Sequence, residues 1–339
     1  MEIIDSLSMQ TAQHIAKAHN QDEGAPQPGG SLANVGYYTL LLLIKMIAHL
    51  PFRVLYALSD LIYFPLYYLM RYRRKVVRKN LVESFPEKSF KEIIEIEKKF
   101  YHSFVDITLE TCKLATISPE EMKQRMHYTD TERVNSLLAQ GEKLSVYIGH
   151  FGNWEWHSSM SLWLDKQAVP AQIFHKLRSN AMDRLMHTLR ERFGHISVDM
   201  HQTARFVANS TTDTRPYIIG FIADQSPKKR ECKYYMEFLN HQVPVLIGTE
   251  KLTKRYGYKA FFLSVKRIRR GWYEGKYLPL SEHPETLPDY ELTQLYYQEL
   301  EKEVRRQPEL YLWSHNRFKH ATGCLTPSQG NGSERQGEE

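Results

Sequence analysis

Residues 144–156 read LSVYIGHFGNWEW, and the fold prediction starts from this stretch. Its first half is a short apolar run bounded by a glycine, a pattern typical of a strand buried on both faces. Three further runs of the same kind follow, AQIFH (171–175), PYIIGFIAD (216–224) and KAFFLSV (259–265), with helical stretches such as MDRLMHTLRERFG between them. Buried strands alternating with helices predict an α/β domain with a mixed, largely parallel sheet flanked by helices.

The second half of the stretch places a histidine, His150, at the end of the first strand and a carboxylate, Glu155, five residues later. Catalytic groups collect at the carboxyl ends of strands in open α/β sheets. Five residues correspond to about 500° of helical rotation, so the pair cannot share one helix face. The two side chains meet only if Gly152 and Asn153 turn the chain, which glycine permits.

This pair would suit general-base chemistry. An imidazole can take the proton of an attacking hydroxyl, and a carboxylate on its other nitrogen fixes the tautomer. No serine or cysteine lies directly beside the pair, so the substrate itself would supply the nucleophile. The alternative from spacing alone is a capping carboxylate next to a hydrogen-bonded core histidine.

Two other strand ends carry polar side chains. Asp224 and Gln225 follow the third run and could bind a polar substrate group or cap the next element. Lys176 and Arg178, in FHKLRSN (174–180), could bind phosphates or be ordinary solvated cations.

Composition limits the function classes. The chain has 339 residues, a formal charge of +6 and a pI near 8.9, without a recognisable nucleic-acid-reading module. That mild excess of base suits an anionic membrane surface or a phosphorylated substrate. Cys112, Cys232 and Cys324 are scattered, and the fifteen histidines show no zinc-type spacing, so neither a metal nor a cofactor is expected.

The chain divides into four predicted segments. Residues 1–33 are polar and end in a Gly/Pro-rich run, and residues 322–339 are low in apolar content, so both are predicted to be disordered. Residues 34–79 are a predicted membrane anchor with a basic end, and residues 80–321 form the folded domain. Within that domain, Ser89 or Pro86 is predicted to begin one helix and Ser118 another.

The anchor is apolar and aromatic from 35 to 70, but Lys45, Arg53 and Asp60 interrupt it before it reaches the roughly 18 apolar residues of a clean span. Pro51 would kink or end a helix. The segment is therefore a tilted, kinked span, or two helices lying in the membrane interface, or a buried helical hairpin.

The basic stretch RYRRKVVRK (71–79) follows directly. It is either a solvated helix face or a contact with anionic lipid headgroups, and the second interpretation would place the folded domain on the cytoplasmic side.

Several blocks together resemble the bacterial lipid A biosynthesis acyltransferases, the lauroyl and myristoyl acyltransferases of the lysophospholipid acyltransferase-like superfamily. His150 and Glu155 match the H-x4-D/E motif of that superfamily, inside GHFGNWEW. The following blocks agree in order: FHKLRSN (174–180), RERFG (190–194), ADQSP (223–227), GTEKLTKRYG (248–257) and YLWSHNRFK (311–319). The likeness runs from about residue 37 to residue 319, with one departure at Asn316, where the family more often has a basic residue.

The resemblance implies a glycerolipid acyltransferase-like fold and an O-acyltransferase of the inner membrane, with its catalytic domain facing the cytoplasm. It implies an acyl carrier protein thioester as donor and a lipid A precursor as acceptor, whose 3-hydroxyacyl chain offers the attacking hydroxyl. It makes His150 the general base and Glu155 its partner. The substrate-binding positions that it implies are Gly152, Asn153, Trp154, Lys176, Arg178, Asn180, Arg190, Asp224 and Gln225.

Two other functions stay open at this point. The acceptor could be another membrane lipid, such as a lysophospholipid or an amino-acid lipid. The protein could also be a catalytically silent relative that binds lipids, although the intact His150 and Glu155 argue against that.

Overall fold

A seven-stranded sheet forms the centre of the computed structural model, which describes residues 31–322. The predicted disordered ends, and Cys324, lie almost entirely outside these residues. The sheet order is β1-β9-β8-β2-β5-β3-β4, and every pairing is parallel except that of β8 with β9. The predicted mixed, largely parallel sheet is therefore confirmed. The strand bounds are β1 Met126–Thr129, β2 Leu144–Ile148, β3 Val169–Phe174, β4 Ile196–Asp199, β5 Tyr217–Ile222, β6 Tyr234–Phe238, β7 His241–Val245, β8 Lys259–Arg269 and β9 Trp272–Ser281.

Helices flank this sheet, and the antiparallel hairpin of β6 and β7 lies outside it. The helix bounds are α1 Ser31–His49, α2 Phe52–Phe64, α3 Arg74–Ser84, α4 Phe90–Lys113, α5 Pro119–Arg125, α6 Thr131–Ala139, α7 Asn180–Arg190, α8 Thr203–Thr212, α9 Gly248–Arg255 and α10 Glu291–Arg306. A π-helical turn, Pro65–Leu69, extends α2, and a 3-10 helix, Trp154–Trp163, follows β2.

Two predicted helix starts have the capping chemistry expected of them. Ser89, not Pro86, caps α4, and Ser89 and Glu92 form a reciprocal capping box. Ser118 caps α5 by accepting from the backbone N–H of Glu121, with Pro119 in the first turn.

The N-terminal helices α1 and α2 are bent by 114° at the break before Phe52. Pro51 has no N–H to continue α1, and Lys113 of α4 donates to the carbonyls of Ala48 and Leu50 at 2.6 and 2.9 Å. The carbonyls freed at the end of α1 are thus bound by the folded domain, which fixes the direction in which α2 leaves.

Neither α1 nor α2 alone has the length and apolarity to cross a membrane, whereas the two taken together pass that test. One side of the pair packs against the domain through buried residues such as Tyr37, Leu55 and Tyr63. The other side leaves large apolar side chains exposed. These are Val35, Tyr38, Leu42, Leu43, Met46, Val54, Leu61, Phe64, Leu69 and Met70.

Several arginines of the basic stretch 71–79 bind other residues of the folded domain. Arg74 and Arg78 both pair with Glu97 of α4, whose side chain is fully buried. Arg73 donates to the carbonyl of Ser314 at 2.9 Å. The more exposed members of this stretch include Lys75 and Lys79.

Candidate active site

The register of two neighbouring strands assembles the centre of the site. β2 and β5 are parallel neighbours, and Ile148 pairs with Ile222 at their carboxyl ends. His150 and Asp224 each lie two residues beyond this pair, so the sheet brings them together across 74 residues of sequence. The His150 Nδ1 to Asp224 Oδ1 distance is 2.6 Å.

Two consecutive tyrosines of α10 hold these strand ends. The Tyr296 hydroxyl donates to the carbonyl of Ile148 at 2.9 Å, and the Tyr297 hydroxyl donates to the carbonyl of Ala223 at 3.1 Å. Strand-end carbonyls that leave the sheet ladder need such donors. The position of His150 relative to Asp224 therefore depends on α10 as well as on the sheet.

The loop after His150, residues 151–153, is the histidine loop, and the segment near the C-terminus holds it in place. The N–H of Gly152 donates to the carbonyl of Leu310, and the N–H of Leu312 donates to the carbonyl of His150, at 3.0 and 3.1 Å. Gly152 has a φ of +62°, as the predicted turn requires, and an added Cβ would lie 3.1 Å from Val265. Backbone groups at and just before the start of the block YLWSHNRFK thus hold the histidine loop in place.

The carboxylate that contacts His150 in the structure is Asp224, whereas the expected partner was Glu155. The Nδ1 of His150 contacts Asp224, and its Nε2 lies 3.0 Å from the amide nitrogen of Gln225. Glu155 turns away into the first turn of the 3-10 helix, where Arg190 donates to both of its carboxylate oxygens at 2.8 Å. Strand pairing brings an acid from elsewhere in the chain closer to the histidine than the turn at Gly152 brings Glu155.

The pair of Glu155 and Arg190 is nearly buried, with side chains 13% and 16% exposed. Burial by itself raises the pKa of Glu155, but the charge and hydrogen bonds of Arg190, with His150 nearby, bring the pKa below its usual value. Glu155 is therefore an ionised carboxylate neutralised by Arg190, and the pair links the histidine loop to the end of α7.

Asp224 is 2% exposed. Burial raises its pKa, and this effect is outweighed by the charge and hydrogen bond of His150 and the charge of Arg317, so its pKa lies below the usual value. Arg317 is itself buried and donates to Tyr297 and to the carbonyl of Pro244. A charged Asp224 is the state that stabilises an imidazolium at His150.

A second buried carboxylate supports the histidine loop. Glu110 of α4 accepts hydrogen bonds from Asn153 at 2.9 Å, Tyr273 at 2.8 Å and Tyr56 at 2.9 Å. Burial raises the pKa of Glu110. The contact with Tyr56 connects the histidine loop to helix α2 of the N-terminal segment.

An apolar cavity of about 260 Å³ lies beside the histidine loop. Trp154 lines it, and the Trp154 ring meets the His150 ring edge-on with centroids 5.5 Å apart. Glu155, α1, α4, α7 and the segment 309–312 form the remaining wall. The apolar residues in it include Ile44, Phe100, Phe104, Ile107, Met182, Met186, Leu189, Leu310 and Leu312.

The predicted phosphate-binding residues lie at the same edge of the sheet but not in contact with His150. Lys176 and Arg178 are exposed in the loop after β3, the strand next to β5. Asn180 begins α7, which Ser179 caps, and the N–H of Leu177 donates to Asp183 at 2.8 Å. This loop is therefore shaped by its own hydrogen bonds, with two cations facing solvent.

A comparison with known protein families identifies the family of this chain. Residues 31–320 match the family described as bacterial lipid A biosynthesis acyltransferase. The protein is an acyltransferase, and the chain belongs to that family. No curated protein matched the chain.

Proposed function

We propose that the protein transfers a fatty acyl chain from an acyl carrier protein thioester to a hydroxyl of a lipid A precursor, with His150 as general base. The observation that carries the proposal is the position of His150 at the end of β2. Its imidazole is held by the buried, ionised Asp224 and lies beside an apolar cavity. A base with one nitrogen held by a buried carboxylate and the other beside the exposed side chain of Gln225 suits a nucleophile delivered by the substrate.

In the proposed reaction, the Nε2 of His150 takes the proton of the acceptor hydroxyl as its oxygen attacks the thioester carbonyl. Asp224 stabilises the imidazolium through Nδ1. Collapse of the tetrahedral intermediate breaks the C–S bond, and the imidazolium returns the proton to the leaving thiolate. Asp224 thus takes the role that the sequence predicted for Glu155, and Glu155 with Arg190 positions the loop.

The cavity beside Trp154 is proposed to hold an acyl chain. Its lining is almost entirely apolar, and it reaches from the histidine loop to Ile44 of α1. Apolar area removed from water contributes about 25 cal/mol per Å², so a long saturated chain would gain substantial binding energy there.

The polar end of the acceptor is proposed to reach Lys176 and Arg178. Both are exposed at the same sheet edge as His150, and guanidinium and ammonium groups suit phosphate recognition. The exposed apolar side of α1 and α2 would rest in the inner membrane, with the domain on the cytoplasmic face, which brings a lipid acceptor to this edge.

The test is a reconstitution of purified protein with acyl carrier protein thioester and a lipid A precursor in mixed micelles. Mass spectrometry should show the acceptor heavier by one acyl chain. His150→Ala should reduce the rate by about 10²- to 10⁴-fold, whereas His283→Ala, at an exposed histidine, should not change it. A folded His150→Ala variant with wild-type turnover would exclude the mechanism. Transfer only to a different lipid would exclude the acceptor.

A further inference from the structure

Gln225 occupies the one nitrogen of His150 that the reaction needs. Asp224 and Gln225 are consecutive residues, and their side chains contact the two ring nitrogens at 2.6 and 3.0 Å. An ionised carboxylate only accepts, so Nδ1 carries the proton, and Nε2 of the neutral ring has a lone pair. The amide nitrogen of Gln225 only donates, so this hydrogen bond runs from Gln225 to His150.

A lone pair that accepts from Gln225 cannot take a proton from a nucleophile. Resting on the proposed function, we propose that Gln225 caps the base nitrogen of His150 until the acceptor hydroxyl displaces it, and thereby favours transfer to the lipid over hydrolysis by water.

The two neighbours of the imidazole differ in mobility in the way this role requires. Asp224 is 2% exposed, and the carbonyl of the preceding residue, Ala223, is held by Tyr297. Gln225 is exposed, so its side chain can turn into solvent without disturbing the packing. The side chain of His150 is 16% exposed, and its Nδ1 faces the buried Asp224, so a substrate would meet the ring at Nε2.

The competing reaction is hydrolysis of the thioester, which would use the same base as acyl transfer. Water gives a proton to Nε2 while its oxygen bonds to the thioester carbon, the C–S bond breaks, and the imidazolium protonates the thiolate to give a free fatty acid and thiol. A lipid acceptor brings binding energy from its chains and phosphates that can be used to displace Gln225. A water molecule has no such energy, so the cap acts more strongly against it.

The test compares Gln225→Ala and Gln225→Met with wild type. Methionine has a similar length but no donor. Gln140→Ala, at an exposed glutamine bonded to Ser136, is the matched control. The first readout is the rate at which diethyl pyrocarbonate modifies His150, followed by peptide mass spectrometry. The second is thioester hydrolysis without acceptor, relative to transfer with acceptor.

Both Gln225 variants should raise the modification rate of His150 and the ratio of hydrolysis to transfer by about 3- to 10-fold, the factor of one net hydrogen bond. Adding His150→Ala should abolish the gained hydrolysis. Unchanged modification and an unchanged ratio in both variants would overturn the proposal.

The modification readout uses no lipid and no carrier protein, so it tests the cap directly. Failure of the proposed function would show differently, as a wild-type protein that consumes no thioester with or without acceptor.

Discussion

Replacing Asp224 with asparagine tests which carboxylate serves the histidine. The Asp224→Asn variant keeps the shape of the side chain and an oxygen that can accept from Nδ1, but it lacks the negative charge. In the transition state that charge lies about 4 Å from the centre of the imidazolium, an interaction worth about 4 kcal/mol at an effective dielectric constant near 20. The expected loss in kcat is therefore roughly 10³-fold.

Glu155→Gln is the matched comparison because its charge is already neutralised by Arg190. We expect a smaller loss in kcat and a larger loss of stability, about 1–3 kcal/mol, since the nearly buried Arg190 keeps an amide oxygen as acceptor but loses its counter-charge. The assay is kcat at saturating donor and acceptor, together with the melting temperature of each variant in detergent. If Asp224→Asn kept wild-type kcat while Glu155→Gln lost about 10³-fold at an unchanged melting temperature, the assignment of partners would be reversed.

Two further outcomes follow from the cavity and from a buried histidine. Met186→Trp, in the cavity wall, should shift preference toward shorter acyl donors by about fourfold per methylene displaced, since each buried methylene is worth about 0.8 kcal/mol; an unchanged product profile from mixed donors would contradict the assigned cavity. Burial lowers the pKa of His195 to about 3, from 6.5, so only the unfolded chain protonates it between these values and stability falls as pH decreases through that window. His195→Phe should reduce this slope by about 1.4 kcal/mol per pH unit, measured by denaturant unfolding at several pH values, and coincident slopes would contradict the prediction.

The sequence predicted the strand-end position of His150 but not its contact with Asp224. A short apolar run ending in a histidine places that residue at a strand end without any knowledge of the sheet order. Asp224 was visible as a second strand-end residue. Its contact with His150 depends on β2 and β5 being neighbours, although β3 and β4 lie between them in the chain. Nearness along the chain therefore predicted Glu155 as the carboxylate beside His150, whereas the strand order of the sheet brings Asp224 there.

Strands with a different pattern escaped prediction for a related reason. β4 has only four residues, and β9 alternates buried and less buried positions instead of forming a continuous apolar run. The apolar runs that were predicted as strands all belong to the interior of the sheet. β4 and β9 carry a weaker signal because more of their residues are partly exposed than in the predicted strands.

The supporting role of Glu110 could have been predicted from the helical spacing of the sequence. In α4, Glu97 and Glu110 lie at positions that otherwise carry the buried apolar face of the helix. An acid on such a face must find donors inside the protein. Glu97 finds Arg74 and Arg78, and Glu110 finds Asn153 with two tyrosines.

These two acids also explain how the N-terminal segment and the histidine loop are linked. Glu97 binds the basic helix that follows the apolar segment, and Glu110 joins Tyr56 of α2 to Asn153 next to Gly152. A shift of α2 would therefore act on the loop through Glu110. Asn153 and Tyr273 both donate to Oε2 of Glu110, whereas Tyr56 donates to Oε1, so loss of the Tyr56 hydroxyl takes away the donor to a buried carboxylate oxygen, which is costly. The packing of the apolar helices against the domain is therefore coupled to the geometry at His150.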